Sequence, residues 1–181
     1  ELKPLTTYAE SKINAEYGLE LIANDDFCVT SLRFATACGF SSRLRLDLVL
    51  NDFVASAVTT GKIEILSDGT PWRPLIHVKD MALAIEWAIG RPIKMGGPFL
   101  SVNAGSNDWN YQVKELAETV QRIIPNIDMS INPDAAPDKR SYQVDFSLFR
   151  SLAPDFIPKV SLEDAIKDLY SGLESMGFSD C

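Results

Sequence analysis

Two hydrophobic patterns alternate along the chain, and this alternation constrains the fold more than any other feature of the sequence. Short apolar runs rich in β-branched residues, such as residues 27–34 (FCVTSLRF), predict buried strands. Longer segments with apolar residues at helical spacing, such as 110–124, predict amphipathic helices. Strands and helices that follow each other in this order predict an α/β fold.

The same patterns give the order of the predicted elements. Helices are predicted over residues 8–24, 48–61, 79–90, 110–124 and 161–177. Strands or short extended segments are predicted at 27–34, 62–66, 73–78, 96–105, 128–133 and 141–145. Residues 35–47 are predicted to form a loop. No G-x-G-x-x-G pattern follows any predicted strand, so the sequence contains no Rossmann-type dinucleotide-binding loop.

The composition excludes several classes of function. The net charge is −8, with 17 basic against 25 acidic residues, so the chain lacks the basic surface that nucleic acid requires. The chain has a single histidine, and its three cysteines lack the spacing of metal ligands, so the sequence predicts no metal site. No apolar run is long enough to span a membrane. The odd number of cysteines indicates a reduced, cytoplasmic protein.

Tyr8 and Lys12 are the first candidates for chemistry. Residues four apart share one face of a helix, so the phenol and the ammonium can lie side by side. A neighbouring cation stabilises a phenolate, which suits the phenol for acid–base work near neutral pH. Taken alone, the pair fits two ordinary surface residues on a first helical turn better than it fits a catalytic couple.

The surroundings of this pair change its interpretation. The segment PLTTYAESKINAE, with Pro4, Tyr8, Ser11 and Lys12, resembles the active-site helix of the extended short-chain dehydrogenase/reductase family, the nucleotide-sugar epimerases and dehydratases. Further segments resemble landmarks of that family in the family's order: VTSLRFATACG, IEILSDGTPWRPLIHVKDMALAI, FLSVNAG, DKRSYQVD and KVSLEDAIKDL. Each segment alone is unspecific, but the ordered set covers nearly the whole chain.

The resemblance implies a catalytic role for Tyr8 and Lys12 with a nicotinamide cofactor, NAD or NADP. Tyr8 would exchange a proton with a sugar hydroxyl while hydride moves between the sugar and the cofactor. Lys12 would hold the cofactor ribose and stabilise the phenolate. The backbone at Phe34 and Ala35 would lie along the nicotinamide.

The resemblance also assigns residues to a nucleotide-diphosphate sugar substrate. Arg73 and Arg140 would grip the diphosphate, because guanidinium groups match phosphate oxygens in bidentate fashion. Thr36 falls where relatives often place an Asn near the sugar or phosphate, which is a departure from the family pattern. Asn51 is a further candidate for a substrate contact, and Arg43 and Arg45 are weaker ones.

Two residues with reactive side chains are interpreted as structural. His77 lies inside LIHV, where family members use this residue structurally, so no general-base role is assigned to it. Cys38 stands where relatives frequently have an aromatic residue, and it is interpreted as a packing residue.

The family's Gly-rich loop, its ribose-binding acidic residue and its third catalytic residue should all lie upstream of Tyr8. Only seven residues precede Tyr8, so the sequence is interpreted as the C-terminal half of a larger enzyme. Residues 1–36 would complete a Rossmann-type parallel sheet. Residues 37–181 would form mainly a smaller mixed α/β substrate-binding domain, with some segments returning to the sheet. This chain alone would then bind NAD(P) poorly and be inactive.

Three functions are compatible with the sequence. The first is the C-terminal part of an NAD(P)-dependent nucleotide-sugar epimerase or dehydratase. The second is a non-catalytic module of the same descent that binds a nucleotide diphosphate, although retention of both Tyr8 and Lys12 counts against it. The third is an interaction domain, because family members dimerise through a helix bundle to which the helix from Tyr8 would contribute. A homodimer is expected on the same ground.

Overall fold

The computed structural model describes residues 4, 6–132, 134 and 141–179, which alternate helices with strands. The helices are α1 (Thr7–Ile22), α2 (Val49–Thr60), α3 (Val78–Gly90), α4 (Val113–Ile123), α5 (Ser147–Leu152) and α6 (Leu162–Ser175). The strands are β1 (Val29–Phe34), β2 (Thr36–Cys38), β3 (Lys62–Ile65), β4 (Trp72–His77), β5 (Phe99–Ala104), β6 (Asn110–Gln112) and β7 (Asp128–Ile131). The predicted α/β fold class is confirmed.

Within the described residues, the strands form three small sheets. β1 pairs in parallel with β5, with Val29 opposite Phe99 and Phe34 opposite Ala104. β4 lies between β2, which is parallel to it, and β6, which is antiparallel. β3 pairs in parallel with β7. Since only Ala35 separates β1 from β2, one nearly continuous extended segment leads from the first sheet into the second.

Two clusters of buried side chains hold these elements together. The larger cluster lies where α2, α4 and α6 pack on β3, and its fully buried members include Leu50, Leu116 and Ile166. The smaller cluster lies among β1, β5, α3 and α5, where the rings of Trp87 and Phe149 meet edge to face with centroids 5.4 Å apart. Burying an apolar side chain of this size stabilises the fold by roughly 1.5–3 kcal/mol. The apolar faces of these helices therefore anchor them.

α1 differs from these helices because none of its residues is buried. Tyr17, Leu21 and Ile22 are 56%, 86% and 56% exposed. Apolar burial within the described part of the chain therefore contributes little to the attachment of α1.

The first turn of α3 connects two distant parts of the chain. His77 caps this helix, since its Nδ1 accepts a hydrogen bond from the backbone N–H of Lys79 at 3.2 Å. Asp80 is buried, and its carboxylate accepts the backbone N–H groups of Lys159 at 2.9 Å and Val160 at 3.2 Å. These bonds fix α3 to the segment that precedes α6.

Three short elements were not predicted. β2 and β6 are three-residue strands inside segments predicted as a loop and as a helix. They form because both pair with β4, and no local pattern signals such a pairing. α4 consequently starts at Val113, after a capping box between Gln112 and Glu115. α5 lies outside the predicted helices, and residues 141–145 form no strand.

Two features are absent from the described residues. None of their helices is long and apolar enough to cross a membrane. They also contain no group of three or more His, Cys, Asp or Glu side chains arranged to bind a metal ion.

Candidate active site

Tyr8 and Lys12 lie on adjacent turns of α1, as their spacing predicts. The helix is capped by Thr6, whose hydroxyl oxygen accepts a hydrogen bond from the N–H of Ala9 at 3.1 Å. The ammonium nitrogen of Lys12 lies 5.4 Å from the centroid of the Tyr8 ring, which is within cation–π range. Tyr8 is 71% exposed, so its phenol is accessible.

α1 places this pair near the carboxyl end of β1. The helix leads into β1 through residues 23–28, where Asn24 and Phe27 bridge to each other and turn the chain back. The start of α1 therefore lies towards the end of β1, at Phe34 and Ala35. In open parallel sheets, ligands bind beyond the carboxyl ends of the strands.

A cavity of about 640 Å³ lies close to the end of this first sheet. Thr36, which opens β2, lines the cavity together with Arg73 from β4. The fold thus brings together two residues that were predicted separately to contact a substrate. Arg140, also predicted to bind the diphosphate, lies outside the described residues.

Arg73 is the one basic side chain among the described residues that line this cavity. Its Nη1 donates a hydrogen bond to the carbonyl oxygen of Trp72 at 2.8 Å. Three carboxylates line the same cavity: Asp47, Asp52 and Glu64. Burial raises the pKa of Asp52. The cavity therefore combines one fixed cation with several acceptors for hydroxyl groups.

Arg45 forms an ion pair with Asp47, which lines the cavity. Its Nε and Nη2 donate to the two carboxylate oxygens of Asp47, each at 2.7 Å. This bidentate pairing raises the pKa of Arg45 and lowers the pKa of Asp47. Neither Tyr8 nor Lys12 is among the described residues that line this cavity.

Asn51, a predicted substrate contact, is buried, and backbone groups engage both ends of its side-chain amide. Its Oδ1 accepts the N–H of Gly39 at 3.1 Å, and its Nδ2 donates to the carbonyl oxygen of Arg45 at 2.9 Å. These bonds fix the connection between β2 and α2, which carries Arg45. A direct contact between Asn51 and a substrate stays a prediction.

His77 lies against a second cavity, of about 760 Å³, which none of the predicted site residues lines among the described residues. The imidazole is fully buried, and its Nε2 lies 3.4 Å from Oδ2 of Asp168. Burial lowers the pKa of His77, although the charge of Asp168 opposes the shift. Since Nδ1 accepts the Lys79 N–H, the neutral ring carries its proton on Nε2. Both ring nitrogens of His77 therefore face groups of the fold itself, which agrees with a structural role.

We expect His77 to make the fold sensitive to acid. The pKa of His77 is lower in the folded than in the unfolded chain, so protonation of the ring favours the unfolded chain. The fold therefore loses stability as the pH falls below the unfolded pKa of about 6.5. The urea midpoint of the wild type should therefore fall between about pH 7 and pH 5.5 more than that of His77→Asn, which keeps a capping acceptor. An equal fall in both proteins would exclude His77 as the source.

Cys38 is buried in the larger core cluster. Burial, together with the charge of Asp80, raises the pKa of its thiol to about 12. A thiol in this state is a poor nucleophile, which agrees with its interpretation as a packing residue.

A polar group next to the Tyr8–Lys12 pair was not predicted from the sequence. Glu16, one turn after Lys12, accepts hydrogen bonds from Ser31 and Arg33 of β1. Its spacing from Lys12 was visible in the sequence, but its partners lie 15 and 17 positions away and no local motif announces them.

Comparison with known proteins supports the interpretation of the fold. A model of the NAD-dependent epimerase/dehydratase family matches residues 1–105. An NAD-dependent NDP-hexosamine 5,6-dehydratase of tunicamycin biosynthesis superposes with a TM-score of 0.77 at 19% identity, covering 96% of this chain and 55% of that chain. A UDP-glucose 4-epimerase from Stenotrophomonas maltophila, with bound NAD and formylated UDP-arabinopyranose, gives 0.76 at 20% identity, covering 98% and 57%.

A third structure extends the likeness to an NADPH complex. RMD from Pseudomonas aeruginosa, complexed with NADPH, superposes with a TM-score of 0.79 at 17% identity, covering 97% of this chain and 59% of that chain. The chain thus spans between 55% and 59% of the length of these three proteins. At these identities the likeness shows a shared fold.

Proposed function

The chain belongs to the NAD-dependent epimerase/dehydratase family, and on that premise we propose that it is the C-terminal part of a nucleotide-sugar epimerase or dehydratase. The observation that carries the proposal is the accessible pair on α1, with the Lys12 ammonium 5.4 Å from the Tyr8 ring. In this proposal residues 1–36 complete a Rossmann-type sheet, and residues 37–181 form mainly the substrate-binding domain. The pairing of β5 with β1 supports the return of one later segment to that sheet.

Tyr8 acts as the acid–base group in the proposed reaction. Its phenolate oxygen accepts the proton of a sugar hydroxyl while the carbon of that hydroxyl loses hydride and becomes a ketone. In an epimerase the ketone is reduced on its other face and the phenol returns the proton. In a dehydratase the keto sugar first loses water. A positioned proton donor or acceptor contributes typically about 10²–10⁴-fold to the rate.

The start of α1 fits a nicotinamide cofactor. The Lys12 ammonium has no carboxylate partner among the described residues, so it is available to donate to ribose hydroxyls and to stabilise the phenolate. The N–H of Ala35 donates a hydrogen bond to the carbonyl oxygen of Ala104 at 3.3 Å, which fixes the backbone after Phe34. This backbone would lie beside the nicotinamide. Bound NAD or NADP would supply the hydride acceptor.

The proposed substrate is a nucleoside-diphosphate sugar. Arg73 supplies a cation for the diphosphate in an otherwise acidic cavity. The carboxylates of Asp47 and Glu64 suit a ligand rich in hydroxyl groups, because an ionised carboxylate only accepts hydrogen bonds. Thr36 offers a hydroxyl group at the same cavity.

The proposal includes a homodimer formed through a helix bundle that contains α1. The exposed side chains of Tyr17, Leu21 and Ile22 support it, since apolar groups of this size on one helix favour a covering surface. A cytoplasmic location is also proposed, and the free thiols of Cys28 and Cys38 support it.

A turnover assay tests the proposal. The protein that carries this chain, at its natural length, is incubated with NAD or NADP and a panel of UDP-, dTDP-, GDP- and ADP-sugars, and the products are resolved by chromatography and NMR. Formation of an epimer or of a keto-deoxy sugar would support the proposal. Nucleotide binding without turnover would favour a non-catalytic module. The absence of both would favour an interaction domain.

We expect Arg73→Ala to weaken nucleoside-diphosphate binding by about 10- to 100-fold, because hydrogen bonds to charged groups contribute roughly 1.5–3 kcal/mol. Calorimetric titration with UDP, dTDP, GDP and ADP measures the change. The matched control is Arg122→Ala, which removes an equal charge from an exposed pair with Glu163 at 2.8 Å. Equal losses in the two variants would show that only net charge matters.

A further inference from the structure

We propose that Glu16 is a positioning residue that sets the rotation of α1 and thereby holds Tyr8 and Lys12 in their working orientation. The side chains of Glu16, Ser31 and Arg33 are called the Glu16 clamp below. The inference rests on the proposed function for the importance of the pair, whereas the clamp itself is a feature of the fold.

The Glu16 clamp joins the middle of α1 to β1. Oε2 of Glu16 accepts hydrogen bonds from the Ser31 hydroxyl at 2.9 Å and from Nε of Arg33 at 3.0 Å, and Oε1 accepts a third from Nη2 of Arg33. Ser31 and Arg33 are two positions apart on β1, so both side chains point to the same face of the sheet. The Glu16 side chain is only 14% exposed. The carboxylate therefore has one well-defined position.

The carboxylate stays charged in this position. Burial alone would raise the pKa of Glu16, but the hydrogen bonds from Arg33 and Ser31 outweigh burial and hold its pKa below the ordinary range. A partly buried bidentate pair with this support keeps its geometry better than an exposed ion pair does.

Within the described residues, the side-chain hydrogen bonds between α1 and β1 are those of the Glu16 clamp. The helix buries none of its residues, whereas α2, α4 and α6 each bury several apolar side chains. The face of β1 that meets α1 presents Ser31 and Arg33. Directional hydrogen bonds to Glu16 therefore define how α1 is rotated against β1.

Glu16 continues the stripe that carries the catalytic pair. Tyr8, Lys12 and Glu16 are spaced four residues apart and lie on successive turns of one helix face. Glu16 lies about 12 Å along the helix axis from Tyr8, so fixing its rotation fixes that of the phenol. A displacement of about 1 Å at a reacting group can cost on the order of 100-fold in rate.

The clamp also keeps Glu16 away from Lys12. Oppositely charged side chains four apart on a helix attract each other. Arg33 instead binds both oxygens of the carboxylate, and the Lys12 ammonium lies over the Tyr8 ring. Without Arg33, a partly buried carboxylate would lose its partner and would draw Lys12 away from the phenol.

The test compares Glu16→Gln with Glu20→Gln in the protein at its natural length. Glu20 is exposed on the same helix and serves as the matched control. For Glu16→Gln we expect kcat to fall by about 10- to 100-fold, with KM for the nucleotide sugar changed by less than about twofold. Amide hydrogens of residues 7–22 should exchange about tenfold faster than in the wild type, while those of α2, α4 and α6 are unchanged.

Variants of Arg33 separate orientation from simple loss of stability. Arg33→Met should lower kcat more than Glu16→Gln does, because the freed carboxylate attracts Lys12. The double variant Glu16→Gln/Arg33→Met should recover part of that loss. Arg33→Lys keeps a cation and should restore slow exchange in α1 in part, which also provides a milder variant if Arg33→Met folds poorly.

The outcomes distinguish this inference from the proposed function. If Glu16→Gln leaves kcat and the exchange of α1 unchanged while Tyr8→Phe is inactive, the positioning role is overturned and the proposed function stands. If Tyr8→Phe keeps its activity, the proposed function fails. In that case hydrogen exchange in Glu16→Gln tests the clamp without reference to activity. Faster exchange confined to α1 supports the clamp, and unchanged exchange overturns it.

Discussion

In the protein that carries this chain, replacing Tyr8 with Phe is expected to lower turnover by about 10²–10⁴-fold, because the substitution removes only the phenolic oxygen that transfers the proton in the proposed reaction. The thermal midpoint should not change, since the side chain is 71% exposed and the phenyl ring is retained. Steady-state kinetics with the nucleotide sugar, together with circular dichroism, measures both quantities. KM should change little, because the substitution leaves the cavity residues in place.

Tyr17→Phe is the matched control for this experiment. Tyr17 lies on the same helix and is 56% exposed, so the control loses an equivalent hydroxyl group. It should retain wild-type activity. Unchanged activity in Tyr8→Phe would remove Tyr8 from the mechanism, and an equal loss in both variants would point to a general effect on α1.

Gly39→Ala is expected to lower the free energy of unfolding by about 2–6 kcal/mol, the sum of a backbone and a side-chain contribution. The residue has a φ of +109°, which is strained for any residue with a Cβ atom. The added Cβ would also lie 2.3 Å from Nε2 of His77, whose ring is fully buried and accepts the Lys79 N–H at Nδ1. Urea denaturation at neutral pH measures the change in the free energy of unfolding.

Gly97→Ala separates the two contributions. Gly97 has a φ of +80°, but no atom lies within 4 Å of the position that its Cβ would occupy. This variant should therefore show the backbone strain alone, roughly 1–3 kcal/mol. The difference between the two variants gives the cost of the collision with His77. Equal losses would mean that the His77 ring adapts to the methyl group.

The long elements of the fold could be predicted from the sequence. α4 and α6 have clear apolar periodicity, and the Gly61 that ends α2 adopts the left-handed conformation typical of a helix end. The three-residue strands β2 and β6 could not be predicted, because they exist only through their pairing with β4. Strands of that length carry no period that a sequence window can detect.

In the candidate site, too, the local features could be predicted from the sequence and the long-range contacts could not. The spacing of Tyr8 and Lys12 is local, so the geometry of the pair follows from the helix itself. The approach of Thr36 and Arg73 to one cavity depends on the pairing of β2 with β4, and it could be expected only from family resemblance. The partners of Glu16 come from a different element and were missed.

The two bonds that Asp80 accepts have a consequence for the order in which the chain folds. They span 79 and 80 positions of sequence, so they form after the local contacts of the middle region. During synthesis, the carboxylate of Asp80 faces water until residues 159 and 160 have left the ribosome and the last helix has docked. The segment that precedes α6 therefore completes the burial of Asp80, a residue synthesised about 80 positions earlier.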